Sequence, residues 1–523
     1  MEALNRNRVK GFLDTQGRKI VNEDGDEVLL YGFGVGNWML QEGYMWRGRG
    51  KKFDRPRRIE ATIKRLCGED YAKEFWVKFH ENYFCESDIE LMAEMGCNSV
   101  RLPFNWRMLM EEKPGVHFIE YGFLLLERVI DWCEKHKIYV WLDLHGAPGG
   151  QTGSNIDDSE NDYPEMYENE DYYIKTICLW QELAKRYNDR WIVAGYDLLN
   201  EPIRTHNWSD TTEDIDYLVP LLCKFYEDAV AAIREIDTTH LISIEGHHWS
   251  SMPDIFYKKY DDRMVLHFHR YWCTPDYNII TEFIERGKAL DVPLWLGETG
   301  ENVLYWYTAL YPLAFKEGIG LNFWTWKKIG GKPSPLHVKE PADWDKFIGF
   351  ANGENILDSK EGQTILNEYL ENIKAENCVK RFDVPAAILR HPPCAVRATD
   401  FDEPSAKVPS FNLFRYRENT GMTIIPKENY VFGEKRWDVF ILQLNENECV
   451  NYSFYNIYNT VLNIKAEFDD NAALQIYQND VLLNEIKAQL PIKLHTAEEC
   501  VIKLKAVSGT VFIDELEISQ EEV

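Results

Sequence analysis

Paired cysteines, glycine-rich phosphate loops, long apolar runs and excess positive charge are all missing from this 523-residue chain. Each absence removes a class of function. The eleven cysteines are odd in number and scattered, with no C-x-x-C pair and no metal-ligand spacing. Neither a disulfide framework nor a cysteine-held metal is expected, and buried thiols in a reducing compartment fit better. No G-x-G-x-x-G follows any β-rich run, which argues against a doubly wound nucleotide-binding sheet. No apolar stretch approaches the ~20 residues of a membrane span. The opening MEALNRNRVKGFLDTQGRKIV carries no apolar signal core, so a cytoplasmic location is expected unless a leader has been removed. Lys plus Arg number 58 against 86 Asp plus Glu, a formal charge of −28. That field repels nucleic acid and anionic membranes, so neither is an expected partner.

What remains suits a soluble protein acting on neutral molecules. Apolar residues make up 45%, with 17 Trp, 28 Tyr and 26 Phe, and the length predicts two domains. From residue 29 to about 326, eight short β-rich runs are set before polar loops, with helical patterns such as 121–137 and 217–236 between several of them. The runs are 29–37, 98–106, 138–146, 193–202, 241–249, 264–272, 293–301 and 320–328. This alternation predicts an α/β fold, a parallel (β/α)₈ TIM barrel. Residues 11–30 alternate around Gly turns and read as a hairpin at the barrel's bottom. Beyond a helical pattern at 361–377 the helical signal vanishes, and short strands with turns predict an all-β, jelly-roll-like sandwich. The expected domains are 1–380 and 381–523.

Seven of the eight runs end in residues with chemical potential: Asn37–Trp38, Arg101 with Asn105, His145, Asn200–Glu201, His267 to Tyr271, Glu298 and Trp324. A barrel aims these ends at one face, where its chemistry is built. Glu201 and Glu298 close the fourth and seventh runs, on opposite sides of an eight-stranded ring, so they are expected to face each other across the mouth. Glycoside hydrolysis needs such a pair. Among the other tryptophans, Trp38 and Trp249 are lesser candidates for a sugar platform, with core packing as the plainer expectation.

Taken together and in order, NSVRLPFNW, WLDLHGAPGGQTG, YDLLNEP, HFHRY, LGETG and NFWTW resemble glycoside hydrolase family 5, over residues of about 10–375. The resemblance implies retaining hydrolysis, with Glu201 as general acid/base and Glu298 as nucleophile. It implies that Arg101 bonds the nucleophile, Asn200 the sugar 2-hydroxyl, and His145 a subsite. His269, chosen over His267, and Tyr271 fit the family's H-x-Y, and Trp324 the floor under a pyranose ring. LHGAPGGQTG resembles the exo-β-1,3-glucanase and β-glucosidase branch. A carbohydrate substrate is therefore expected, a β-glucoside or short β-glucan, with no cofactor and no metal. β-Mannosidase, endo-β-glucanase or mannanase activity, and an inactive sugar-binding barrel, stand as alternatives. A metal-dependent barrel hydrolase is disfavoured, because the first run ends in GVGNW without a ligand. The segment around 40–70 and the acidic loop 155–173 are expected to wall the cleft, against a plain solvated loop. The C-terminal region resembles β-sandwich carbohydrate-binding modules, in fold only.

Overall fold

A computed structural model describes residues 4–205, 214–402, 415–431 and 438–521. The chain divides into two compact units. The first comprises Met1–Arg270, Glu282–Glu301 and Gly318–Lys380. The second comprises Tyr271–Thr281, Asn302–Glu317 and Arg381–Val523.

The first unit is built on a closed barrel of eight parallel strands, one from each predicted run. They are β1 (Tyr31–Gly34), β2 (Ser99–Asn105), β3 (Tyr139–Gly146), β4 (Val193–Asp197), β5 (Leu241–Glu245), β6 (Met264–Arg270), β7 (Leu294–Gly300) and β8 (Gly320–Trp324). Their residues are buried almost without exception, as expected of strands covered on both faces. The predicted N-terminal hairpin forms from Asp14–Gln16 and Lys19–Val21. It lies at the strands' N-terminal ends: Asp14 pairs with Arg263, just before β6, at 3.0 Å. Lys10 N–H donates to the hydroxyl of Tyr139, the first residue of β3, at 3.0 Å.

Two departures from regular strand geometry place the chemistry. β4 stops at Asp197, four residues short of Glu201. In β7 the pairing to β6 runs His267 to Trp295 and then His269 to Glu298, so β7 carries one extra residue over that interval. Side chains alternate across a regular strand, so residues three apart face opposite ways. The extra residue re-aims the chain, and Trp295 and Glu298 both turn inward. Gly297 sits at this point because a Cβ there would lie 2.1 Å from the His267 ring.

The second unit holds two antiparallel sheets. One runs Thr423–Pro426, Phe440–Leu444, Val511–Gln520, Thr460–Phe468, Ile492–Lys493, with Cys394–Arg397 also paired to Val511–Gln520. The other runs Cys449–Ile457, Ala497–Ser508, Ala473–Gln478, Val481–Ile486. The inward residues alternate along each strand and include Leu442, Tyr452, Leu462, Ile476, Ile502 and Leu516. Of the short strands expected in this region, the run KRWDVFILQL (435–444) lies outside the described residues over 435–437 and forms a strand from Phe440. The apolar stretch FDVPAAIL contains the helix Asp383–Leu389, buried at Val384 and Ile388. That helix packs on the apolar helix Leu304–Lys316, which belongs to the same unit although it lies between β7 and β8 in the chain.

Candidate active site

Arg101, fully buried in β2, is the hub on which the site is assembled. Its Nε donates to Asp197 Oδ2 at 2.8 Å, Nη1 to Glu298 Oε2 at 2.6 Å, and Nη2 to Asn200 Oδ1 at 2.8 Å and Glu245 Oε1 at 3.1 Å. Asp143 Oδ2 lies 3.1 Å from Nη2. One guanidinium thus faces four carboxylates from β3, β4, β5 and β7. Such a cluster stays folded only because each charge finds partners in fixed geometry.

Glu201 lies in a left-handed turn beyond β4, with φ +46°, and Ile203 follows at +56°. The segment after β3 holds this turn. Gln151 Nε2 donates to the carbonyls of His145 and Asn200, and Thr152 Oγ1 donates to that of Glu201 at 2.7 Å. Ile203 N–H donates to the Gln151 carbonyl at 3.0 Å. From the other side, Glu201 N–H donates to Glu245 Oε2 at 2.7 Å. Polar side chains from two neighbouring strands therefore hold a backbone shape that a β-branched residue resists.

The Glu201 carboxylate meets His269 Nδ1 at 2.7 Å, and the same nitrogen lies 4.0 Å from Glu298 Oε1. One atom from each of Glu201, His269 and Glu298 falls within 4.8 Å of the others, and Glu245, His267 and His269 form a second such group. Either spacing suits a metal ion. Below, His269 Nε2 faces His267 Nε2 at 3.0 Å, and His267 Nδ1 faces Asp197 and Ser243. His269 is thus the histidine at the carboxylates, and His267 lies one layer deeper.

Burial acts most strongly on Glu201, Glu245, Asp143, His145, His269 and Asp197, and of these only at Asp197 do the neighbours reverse it. It pushes the Glu201 carboxyl well above the usual carboxylate range, and the charge of Glu298 adds to it. It raises Glu245 in the same way, with Asp197 next. Asp143 is pushed up to about 8. His145 is driven down to about 3, and His269 well below its ordinary value. Asp197 goes the other way, to about 2, because His267 and Arg101 outweigh its burial.

His145 Nδ1 contacts Asp143 at 2.8 Å, and its Nε2 lies 3.1 Å from Asn200 Nδ2. With the imidazole neutral, Nδ1 donates to Asp143 and Nε2 accepts from the amide. The ring stacks parallel to Trp324, with centroids 5.2 Å apart. Trp324 lies flat against the end of β1, where a Cβ on Gly34 or Gly36 would come within 2.7 Å of the indole. Its Nε1–H donates to the Tyr44 hydroxyl at 2.8 Å.

The structure therefore brings together Arg101, His145, Asn200, Glu201, His269, Glu298 and Trp324. Trp38 is not part of the site: it is buried, donates from its indole to the His80 carbonyl and packs on Phe84. Packing was its plainer expectation, and β1 ends by turning that ring away from the barrel mouth into the first unit's core. Trp249 follows β5 in a left-handed conformation and is part-exposed, and Tyr271, one residue beyond β6, falls in the second unit.

Sequence reasoning missed Asp143, Asp197, Glu245 and Glu42, and set His267 aside in favour of His269. Asp143 stands two residues before His145, on the same strand face, and Glu245 is the polar end of β5. Glu42 is buried, and its carboxyl is pushed well above the usual range by that burial and by Glu298.

The two segments expected as walls grip each other through opposite charge. Arg55 meets Asp162 at 2.6 Å and donates to Ser159, Arg57 donates to the Asp158 carbonyl at 2.8 Å, and Arg58 donates to Asp162 at 3.0 Å. The acidic loop is not a solvated one: Asp157 is fully buried and accepts from the N–H groups of Thr152, Gly153 and Ser159. The signal was in the basic run 47–58 of a strongly acidic chain.

Residues 68–328 match the model of cellulase (glycosyl hydrolase family 5). The barrel belongs to glycosyl hydrolase family 5. Among curated relatives, a β-xylosidase of Phanerodontia chrysosporium is 35% identical over 240 residues, 46% of this chain and 47% of that protein. Endoglucanase C of Acetivibrio thermocellus is 30% identical over 196 residues, 36% of this chain and 51% of that one. A probable glucan 1,3-β-glucosidase A of Aspergillus fumigatus is 23% identical over 358 residues, 64% and 80% of the two chains. The chain spans about half the length of the first two. No described helix is long and apolar enough to cross a membrane. The family 5 match ends at residue 328, just beyond β8, and takes in Arg101, His145, Asn200, Glu201, His269, Glu298 and Trp324.

Proposed function

We propose that this protein is a retaining β-glycosidase, exo-acting on β-glucosides or short β-glucan oligosaccharides. The observation that carries the reading is the approach of Glu201 and Glu298, whose nearest carboxylate oxygens lie within 4.8 Å. Retaining enzymes hold their two carboxyl groups about 5–5.5 Å apart, and inverting ones about 6.5–9.5 Å, leaving room for water between them.

The environments separate the two roles. Glu298 is bonded by Arg101 and suits a carboxylate that must attack as an anion. Glu201 is held protonated by burial and by its neighbour's charge, and suits an acid. In the first step Glu298 attacks the anomeric carbon while Glu201 gives its proton to the departing glycosidic oxygen. In the second step Glu201, now a base, takes a proton from water, which displaces Glu298 from the glycosyl ester. Asn200, oriented by Arg101 and His145, is the group for the 2-hydroxyl, and Trp324 the floor under the ring. The clamped walls support an exo reading, because they close ground that a long chain would cross.

The test is a panel of p-nitrophenyl β-glycosides with two variants. Glu298→Gln should lose turnover on every substrate. Glu201→Ala should lose about 10²–10⁴-fold in kcat/KM on poor leaving groups but little in kcat/KM on activated ones, where kcat should fall with slowed deglycosylation and azide should rescue that step with a retained glycosyl azide. An inverted azide product from a Glu298 variant, with no rescue at Glu201, would exchange the roles.

A further inference from the structure

Beneath the two carboxylates a file of buried side chains runs from β6 to β4, and its far end settles the direction of every hydrogen bond in it. Glu201 Oε1 meets His269 Nδ1 at 2.7 Å, and His269 Nε2 meets His267 Nε2 at 3.0 Å. His267 Nδ1 then meets Asp197 Oδ1 at 3.1 Å and Ser243 Oγ at 2.9 Å. His267 cannot turn aside. Its ring packs on Trp295 with centroids 4.4 Å apart, and a Cβ at Gly297 would lie 2.1 Å from it.

Asp197 fixes the direction. Its Oδ2 accepts from Arg101 Nε at 2.8 Å, and its Oδ1 accepts the hydroxyl proton of Ser243 at 2.8 Å. His267 Nδ1 therefore faces acceptors alone: the Asp197 carboxylate, the Ser243 oxygen whose proton is already donated, and Glu245 Oε1 at 3.2 Å. That nitrogen carries hydrogen. Burial disfavours the imidazolium form at both histidines. A neutral His267 is then bare at Nε2 and accepts from His269 Nε2–H, because the bond at one ring nitrogen sets the state of the other. A neutral His269 is bare at Nδ1, so the hydrogen between it and Glu201 belongs to Glu201.

We propose that Asp197 and His267 are positioning residues that fix the tautomer of His269 and thereby oblige Glu201 to be the donor in the hydrogen bond they share. The use of this relay in turnover rests on the glycosidase reading. When the Glu201 O–H bond breaks and its proton passes to the glycosidic oxygen, the electron pair left on the carboxylate faces a nitrogen lone pair. That repulsion raises the proton affinity of Glu201. Taking a proton from water in the second step restores the hydrogen bond, so the relay drives Glu201 as a base and leaves it protonated for the next acid step.

Neutron diffraction from a deuterated crystal at neutral pH reads the relay directly. Deuterium is expected on Glu201 Oε1, His269 Nε2 and His267 Nδ1, and deuterium on His269 Nδ1 overturns the proposal. In Asp197→Asn the amide oxygen stays on Arg101, and the amide nitrogen puts a donor where Ser243 and His267 had an acceptor. The relay should then reverse, with His269 Nδ1–H donating to a Glu201 carboxylate. In this variant kcat/KM on an unactivated β-disaccharide should fall about 10–100-fold relative to the dinitrophenyl glycoside of the same sugar, whose departure needs no proton. Equal losses on both substrates would mark a merely structural residue and overturn the proposal, as would an unreversed relay. The dinitrophenyl rate reports folding in the same experiment. If Asp197→Asn does not fold, the wild-type deuterium positions decide alone. If the wild type turns over neither substrate, the glycosidase reading has failed, and the deuterium positions still decide the relay.

Discussion

Arg101 shows most directly how single side chains set this chemistry. Its fork reaches Asp197, Glu298, Asn200 and Glu245 at once, a geometry that a lysine ammonium cannot reproduce. Arg101→Lys should lower kcat by about 10²-fold or more through lost positioning of Glu298. It should also destabilise the fold by about 3–5 kcal/mol, because carboxylates are left unpaired in the interior. Kinetics and thermal melting check both. The pH profile follows from Glu201. In the proposed role of acid, Glu201 must be protonated to act and its pKa is raised, so activity should persist above the ~4.3 of a free glutamate. It should then fall as pH rises through the folded value. In Glu298→Gln the second cause of the shift is gone, and carbon NMR should find Glu201 titrating at lower pH than in the wild type.

Among elements, the loops do what the strands cannot. β4 ends before Glu201, so the segment Gln151–Thr152 and the side chain of Glu245 hold the Glu201 turn in place. The basic run 47–58 and the acidic loop then clamp one another, with Asp158 fully buried between Arg57 and Arg107. Asp158→Asn should weaken that clamp. The expected outcome is faster proteolytic cleavage within 40–70 and a rise in KM that exceeds the fall in kcat, read by limited digestion and by kinetics.

At the scale of the whole molecule, the two units do not follow chain order. The helix Leu304–Lys316 lies between β7 and β8 in the chain yet belongs to the second unit, with Trp306, Leu310, Tyr311 and Ala314 buried. Its partners, Asp383–Leu389 and Cys394–Arg397, lie beyond residue 380. A protein ending at about 380 would expose that apolar helix to water. It should be poorly soluble and melt lower than the full chain, with little change of reaction in any fraction that folds. Equal melting temperatures and full solubility would show an independent second unit.

By itself the sequence determined the eight strands, the order of the site motifs and both glutamates. Short continuous apolar runs and polar strand ends are local patterns, and burial enforces them wherever a barrel closes. Arg101, His145, Asn200 and Trp324 were legible for the same reason. Only the tertiary structure decided how Glu298 turns inward, since an extra residue in β7 leaves no trace in composition. It alone set Glu245 under the Glu201 backbone and Asp197 under Arg101, because these contacts join residues more than forty positions apart. It alone paired the 47–58 run with the acidic loop. Attraction between two charged segments is evident in a sequence, but which carboxylate meets which guanidinium depends on where a closed barrel brings its loops.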